Sequence, residues 1–79
     1  MNIHVLFPDC AIAEGKGCGA VPATPLVDEF ITSVEACVVA CAGKLAAQLV
    51  SPTCSCFDNC PVVNAQPMAK LVLLDSCQA

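Results

Sequence analysis

The chain has 79 residues, and its three lysines and seven acidic residues give a net charge of −4 at pH 7. A chain of this length forms a single domain, residues 1–79, and buries too little apolar surface to be stable without cross-links. The basic surface that nucleic-acid binding requires is missing, and an anionic membrane is a poor electrostatic partner. No apolar run reaches the length of about 18 residues that a transmembrane helix needs.

The cysteines are the obvious cross-links, because eight in so short a chain is typical of a disulfide scaffold. They are Cys10, Cys18, Cys37, Cys41, Cys54, Cys56, Cys60 and Cys77. Their even number predicts full pairing in an oxidising compartment, and therefore a secreted protein. The pairing itself stays open, since eight cysteines allow 105 connectivities. No C-x-x-C pair occurs, so no metal site is predicted.

The first 23 residues predict little regular structure. Residues 1–9 read as an extended arm that ends near Pro8, without the basic start of a signal peptide. The only histidine, His4, lies in this arm and has no neighbour that would make it a catalytic base. Residues 13–23 hold three glycines and a proline, and they predict a loop.

The longest periodic pattern follows the Thr24-Pro25 pair, which is typical of a helix start. Apolar residues then recur at steps of four and three: Val27, Ile31, Val34, Val38, Cys41 and Leu45. This stripe predicts one long helix over about residues 25–50. Its second half, from Ala36 to Val50, is apolar nearly all round, which indicates a buried helix or one that faces something apolar. A strand over Ala36–Ala42 is the alternative.

The second half of the chain predicts shorter elements. Ser51-Pro52 marks a break, because the residue before a proline avoids helical geometry. Residues 52–60 predict a short second helix, with a strand at Cys54-Ser55-Cys56 as the competing interpretation. Residues 61–67 predict a connector. Met68–Cys77 predicts a last helix, with a strand as the alternative.

Two cysteine pairs, Cys37/Cys41 and Cys56/Cys60, have the i,i+4 spacing that places both sulfurs on one helix face. Two such helices lying antiparallel can be joined by two disulfides. We therefore predict a small, disulfide-rich, mainly α fold: one long helix stapled to a short second helix and a C-terminal helix, preceded by an extended arm. A cystine-stabilised α+β fold is the alternative.

The cysteine spacing resembles that of known scaffolds. C-x3-C followed by C-x3-C resembles the α-hairpinin motif, which implies the pairs Cys37–Cys60 and Cys41–Cys56. C-x3-C followed by C-x-C resembles the cystine-stabilised αβ scaffold of defensins and toxins, which implies that Cys37 and Cys41 pair with Cys54 and Cys56. The cysteine count and hydrophobicity are also similar to plant lipid-transfer proteins and fungal hydrophobins, without their C-C doublets. None of these resemblances covers the whole chain.

The composition also suggests a function. Apolar residues make up 57% of the chain and charged residues only 13%, so some apolar surface must be exposed or line a cavity. We predict a secreted, non-enzymatic module without a cofactor that binds a lipid-like ligand or an amphiphilic interface. The predicted contact residues are Val38, Val39, Leu45, Leu49, Leu71, Val72, Leu73 and Leu74.

The alternative is a secreted protein ligand, such as an effector, pheromone or toxin-like factor, that acts through a protein receptor. Small disulfide frames commonly present loops to partners. Its predicted surfaces are the loop Glu14–Ala23 and the segment Phe57–Asn64. Exposed apolar surface also makes self-association possible.

Overall fold

The computed structural model describes residues 10–24 and 26–76. In chain order, the elements are β1 (Ile12–Glu14), β2 (Lys16–Cys18), α1 (Val34–Ala40), β3 (Ala46–Val50), β4 (Thr53–Phe57), β5 (Val62–Asn64) and β6 (Lys70–Leu73), followed by a 3-10 turn at Leu74–Ser76. The prediction of a mainly α fold is wrong, because the described chain has one short helix and is mostly antiparallel β-sheet. The predicted arm at residues 1–9 and Cys77 lie outside the described residues.

The main sheet has four antiparallel strands in the order β1-β6-β3-β4. Strand β3 is central: Ala47 lies opposite Cys56 of β4 on one side and Val72 of β6 on the other. Since side chains alternate along a strand, Ala47 and Leu49 share one face of the sheet. Gln48 lies on the opposite face.

The predicted long helix over residues 25–50 is wrong, because only Val34–Ala40 is helical. Ser33, not Thr24, caps the helix, and its side chain accepts a hydrogen bond from the N–H of Ala36 at 3.1 Å. Shortly after the helix, Gly43 adopts a φ of 88°, a left-handed geometry that favours glycine. Residues 46–50 then form the central strand, because pairing with strands on both sides outweighs the high helix propensity of alanine, glutamine and leucine.

The two further helices predicted at residues 52–60 and Met68–Cys77 are also wrong. Residues 53–57 form β4, which returns beside β3 after the turn at Ser51-Pro52, where the peptide bond is cis. In the last segment, Lys70–Leu73 forms β6, and a single 3-10 turn follows it, up to Ser76, where the described residues end. Both segments are short, and each meets a neighbouring strand in register, so tertiary pairing decides their conformation.

The predicted loop at residues 13–23 and the predicted connector at 61–67 also contain strands, which form a second sheet. Strand β2 pairs with β5, and Gly17 lies opposite Val63. We call this pair of strands the β2–β5 ribbon. Gly15, with a φ of 74°, joins the ribbon to β1. Its N–H donates to the carbonyl of Ala69 at 2.7 Å, and its carbonyl accepts from the N–H of Ala65 at 2.8 Å. The glycine supplies the left-handed geometry at which the chain turns from one sheet to the other.

The main sheet is covered on both faces. Helix α1 packs on one face over a buried cluster made of Ile31, Cys37, Cys41, Ala47, Leu49, Cys54 and Cys56. On the other face, a second cluster of Ala46, Phe57 and Leu71 packs with residues of the β2–β5 ribbon and its disulfide, including Cys18 and Cys60. The molecule is therefore layered, with the helix on one side of the sheet and the ribbon on the other.

The ribbon approaches the sheet closely at Gly17, which is buried. A Cβ atom at this position would lie 2.9 Å from Oε1 of Gln48 and 3.0 Å from its Cδ. The same Oε1 accepts a hydrogen bond from the N–H of Cys18 at 3.1 Å. The amide of Gln48 therefore fixes the distance between the two layers.

We expect Gly17→Ala to lower the free energy of unfolding by about 1–2 kcal/mol, because the added methyl displaces the Gln48 amide from Cys18. A glycine-to-alanine substitution in a strand ordinarily raises the free energy of unfolding by about 0.5–1 kcal/mol. A decrease for Gly17→Ala would therefore indicate the close contact with Gln48. Urea unfolding of Gly17→Ala alone and in a Gln48→Ala background measures the coupling. With the amide gone, Gly17→Ala should be neutral or stabilising; an equal loss in both backgrounds would contradict the contact.

Candidate functional site

The two most exposed apolar side chains among the described residues, Val21 and Phe30, lie on the segment that runs along the outer edge of β4, which we call the edge segment (residues 19–24 and 26–33). Two backbone hydrogen bonds hold it there. The N–H of Ala23 donates to the carbonyl of Cys56 at 2.7 Å, and the N–H of Ile31 donates to the carbonyl of Pro52 at 3.0 Å. Ile31 is buried, and Val27 packs against the helix-side cluster. The segment therefore shields a sheet edge that would otherwise be open to pairing.

Three large apolar side chains of the edge segment point into solvent: Leu26 and Phe30 lie between the two anchors, and Val21 lies just before the first. Val21 is 85% exposed, Leu26 is 65% exposed and Phe30 is 81% exposed. Scattered single apolar residues on a surface need no explanation, but three within ten residues on an anchored segment are a candidate contact surface. Because hydrogen bonds and buried neighbours already fix parts of the backbone, a partner would have less chain to order on binding.

The edge segment also carries unneutralised negative charge. Asp28 and Glu29 are exposed beside Phe30, and neither is in an ion pair within the described part of the chain. Two of the three lysines form ion pairs elsewhere: Lys44 with Asp58 at 3.7 Å and Lys70 with Glu14 at 3.4 Å. The contact surface is therefore apolar with an acidic rim.

A surface depression lies where the edge segment meets the β3–β4 turn. It is lined by Val27, Asp28, Glu29, Phe30, Pro52 and Thr53. The carboxylates of Asp28 and Glu29 and the hydroxyl of Thr53 can accept hydrogen bonds, and the Phe30 ring offers an apolar wall. Such a site can receive a side chain or headgroup that combines apolar and donor groups.

The contact residues predicted from sequence are dispersed over the fold. Leu49, Leu71 and Val72 are buried in the core, and Leu74 packs against the helix-side cluster. Val38, Leu45 and Leu73 are half-buried, and Val39 is exposed on α1. The two segments predicted to contact a receptor, Glu14–Ala23 and Phe57–Asn64, are exposed in part. Val21 and Val62 are exposed, whereas Phe57 is buried.

The sequence prediction did not include Leu26 and Phe30 among its candidate contact residues. Phe30 falls within the long helix predicted over residues 25–50, and that prediction gives no reason to expect it on the surface. The available signal was local: both residues adjoin Pro25, Asp28 or Glu29, a composition that favours exposed chain. That signal identifies exposed positions only once the helix is known to begin at Val34.

The cysteines form the other cluster of side chains that could take part in chemistry. The disulfides Cys37–Cys54 and Cys41–Cys56 join α1 to β4, and Cys18–Cys60 closes the ribbon face. The pairing is the one that the αβ-scaffold resemblance implies, not the α-hairpinin pairing of Cys37 with Cys60. Cys10 is also disulfide-bonded.

The two helix-side bridges lie against each other. The Sγ atoms of Cys41 and Cys54, which are not bonded to each other, are 3.7 Å apart, and those of Cys37, Cys41 and Cys54 all lie within 4.8 Å of one another. Sulfur is the ligand atom that soft metal ions prefer. The protein thus gathers three sulfurs in one buried place, and Cys56, bonded to Cys41, adds a fourth beside them.

No protein-family model, curated protein or solved structure matches this chain. Within residues 10–24 and 26–76, no helix has both the length and the apolar character to cross a membrane.

Proposed function

We propose that this is a secreted, non-enzymatic binding module that uses the edge segment to contact an amphiphilic interface or the apolar part of a lipid-like ligand. The observation that carries the proposal is the near-complete exposure of Val21 and Phe30, with Leu26 between them, on a segment tied to a disulfide-stabilised sheet. Secretion is supported by the disulfides on both faces of the sheet, which persist in oxidising compartments.

The binding we propose occurs at the surface. Both faces of the main sheet are filled by packed side chains, so a ligand would meet exposed apolar residues, of which Val21 and Phe30 in the edge segment are the most exposed. The carboxylates of Asp28 and Glu29 and the net charge of −4 disfavour anionic lipid headgroups. We therefore expect zwitterionic surfaces to be preferred over anionic ones.

The test is flotation of the oxidised protein with phosphatidylcholine vesicles. The variant Leu26→Ser/Phe30→Ser should bind at least about a hundredfold more weakly, because each side chain contributes about 1.5–3 kcal/mol when buried. The matched control is Val62→Ser/Met68→Ser, which removes two exposed apolar side chains outside the edge segment and should leave binding unchanged. An absence of vesicle binding by the parent protein, or equal losses in both variants, would refute the proposal.

A protein receptor is the second candidate, and the acidic rim favours it. An apolar surface edged by Asp28 and Glu29 complements a partner that presents apolar and basic side chains together. Ionic strength separates the two candidates, because added salt screens exposed charge pairs but does not weaken apolar burial. Binding that falls steeply between low and physiological salt would favour the receptor.

A further inference from the structure

We propose that the four sulfurs of Cys37, Cys41, Cys54 and Cys56, when reduced, form a tetrahedral thiolate site for a zinc-class divalent ion that replaces the two disulfides between α1 and β4. The proposal rests on the geometry of the cysteines and is independent of the proposed function. Its consequence is that the helix can stay fixed to the sheet under reducing conditions, where the bridges would be lost.

The sulfur spacing fits this site. With zinc–sulfur bonds of about 2.3 Å, the edges of a tetrahedral thiolate site are about 3.8 Å long. The unbonded Sγ atoms of Cys41 and Cys54 are already 3.7 Å apart, and the three-sulfur group that includes Cys37 spans no more than 4.8 Å. On reduction, the sulfurs of each bonded pair must separate to a similar distance, and the Sγ of Cys56, which is not part of that three-sulfur group, must move closer to those of Cys37 and Cys54.

The backbone supplies the frame for four ligands. Cys37 lies in α1, and Cys41, four residues later, is the residue at which the helix ends. Cys54 and Cys56 share a strand face at i,i+2. Across the bridges, the Cα atoms are 5.5 Å apart for Cys37–Cys54 and 5.3 Å apart for Cys41–Cys56. The ligand set is therefore brought together by the fold itself, without the C-x-x-C loops of small zinc modules.

The surroundings restrict the site to these four residues. The cysteines are buried, and no buried polar or charged side chain competes for the ion among the described residues. The Cys18–Cys60 bridge belongs to the other face of the sheet. The nearest polar groups include the carbonyl oxygens of Gln48 and Cys37, 3.7 Å from the Sγ of Cys37 and 3.6 Å from the Sγ of Cys54; in the reduced, metal-free chain these carbonyls can accept hydrogen bonds from the thiols.

Two dithiol molecules each give two electrons and two protons to one bridge, and each is oxidised to a cyclic disulfide. The four thiols formed then each lose a proton to solvent as a sulfur–metal bond forms. Soft thiolate ligands in tetrahedral geometry select zinc over magnesium or calcium.

The first experiment uses Co²⁺ as a spectroscopic probe on the full chain, reduced with a phosphine that adds no thiol ligand. We expect one Co²⁺ per chain, with thiolate charge-transfer absorption and the visible bands of tetrahedral cobalt, displaced by Zn²⁺. The oxidised chain should show neither. Cys18→Ser/Cys60→Ser should behave as the parent, and Cys37→Ser/Cys54→Ser should lose the tetrahedral spectrum.

The second experiment needs no variant and therefore does not depend on whether a variant folds. The reduced parent chain is alkylated with and without Zn²⁺, and the modified cysteines are mapped by peptide mass spectrometry. Zinc should protect Cys37, Cys41, Cys54 and Cys56 at least tenfold relative to Cys18 and Cys60. Uniform alkylation, or protection centred on Cys18 and Cys60, would overturn the proposal.

Discussion

Replacing Cys37 and Cys54 with alanine is expected to lower the free energy of unfolding by about 5–6 kcal/mol, and replacing Cys18 and Cys60 by about 4 kcal/mol. Loop-closure entropy alone gives the opposite order. The bridges span 17 and 42 residues, which correspond to about 3 and about 4 kcal/mol. The reversal comes from packing, because Cys37 and Cys54 are only 1% and 2% exposed, whereas Cys18 and Cys60 are half-buried.

The two sulfurs on the helix side belong to the core as well as to a cross-link. Deleting them leaves a cavity between α1 and β4 that adds about 2–3 kcal/mol to the lost chain constraint. A chain of this size has about 4–12 kcal/mol of stability, so the variant is close to unfolding. Urea unfolding of both variants, with their remaining bridges oxidised, shows which variant loses more free energy of unfolding. A larger loss for Cys18→Ala/Cys60→Ala would show that the entropic term dominates.

The same cysteines explain why the sequence left the fold undecided. A C-x3-C pair on a helix places both sulfurs on one face, and so does a C-x-C pair on a strand. The segment from Cys54 to Cys60 contains both spacings, so its cysteines alone are compatible with either a helix or a strand. The choice is made by β3, whose residues Ala47 and Leu49 pair with Cys56 and Cys54, and no local pattern reveals that pairing.

The apolar stripe was misleading for a related reason. Val27, Ile31, Val34 and Cys41 do belong to one core region, as the periodicity suggested, but only Val34 lies within the helix. Val27 and Ile31 reach that core from a segment without regular secondary structure, and Cys41 follows the helix directly. Helical periodicity therefore predicted which residues pack together on this face, while their secondary structure depends on contacts distant in sequence.

The candidate contact surface was predictable only in part. Composition indicated that apolar surface is exposed, and the structure has such surface at Val21, Leu26 and Phe30. Its location was not predictable, because a phenylalanine carries the same sequence signal in a core as on a surface. Two of the three phenylalanines, Phe30 and Phe57, show the difference directly, since one is exposed and the other is buried.

Phe57→Ala and Phe30→Ala therefore form a matched pair with opposite expected results. Phe57 is 4% exposed and packs with Ala46 and Leu71 between the sheet and the ribbon, so its truncation should cost about 3–5 kcal/mol. Phe30 is 81% exposed, and its truncation should change stability by no more than about 0.5 kcal/mol. Urea unfolding of the two oxidised variants measures both values.

The Phe30 result bears on function as well as on stability. If Phe30→Ala is neutral to folding and Leu26→Ser/Phe30→Ser abolishes vesicle binding, the loss of binding cannot be attributed to unfolding. If Phe30→Ala instead costs more than about 1 kcal/mol, the ring packs against the protein in solution, and the edge segment loses its central contact residue. The carboxylates of Asp28 and Glu29 would then flank a structural side chain, and the depression beside Thr53 would remain without its apolar wall for a partner.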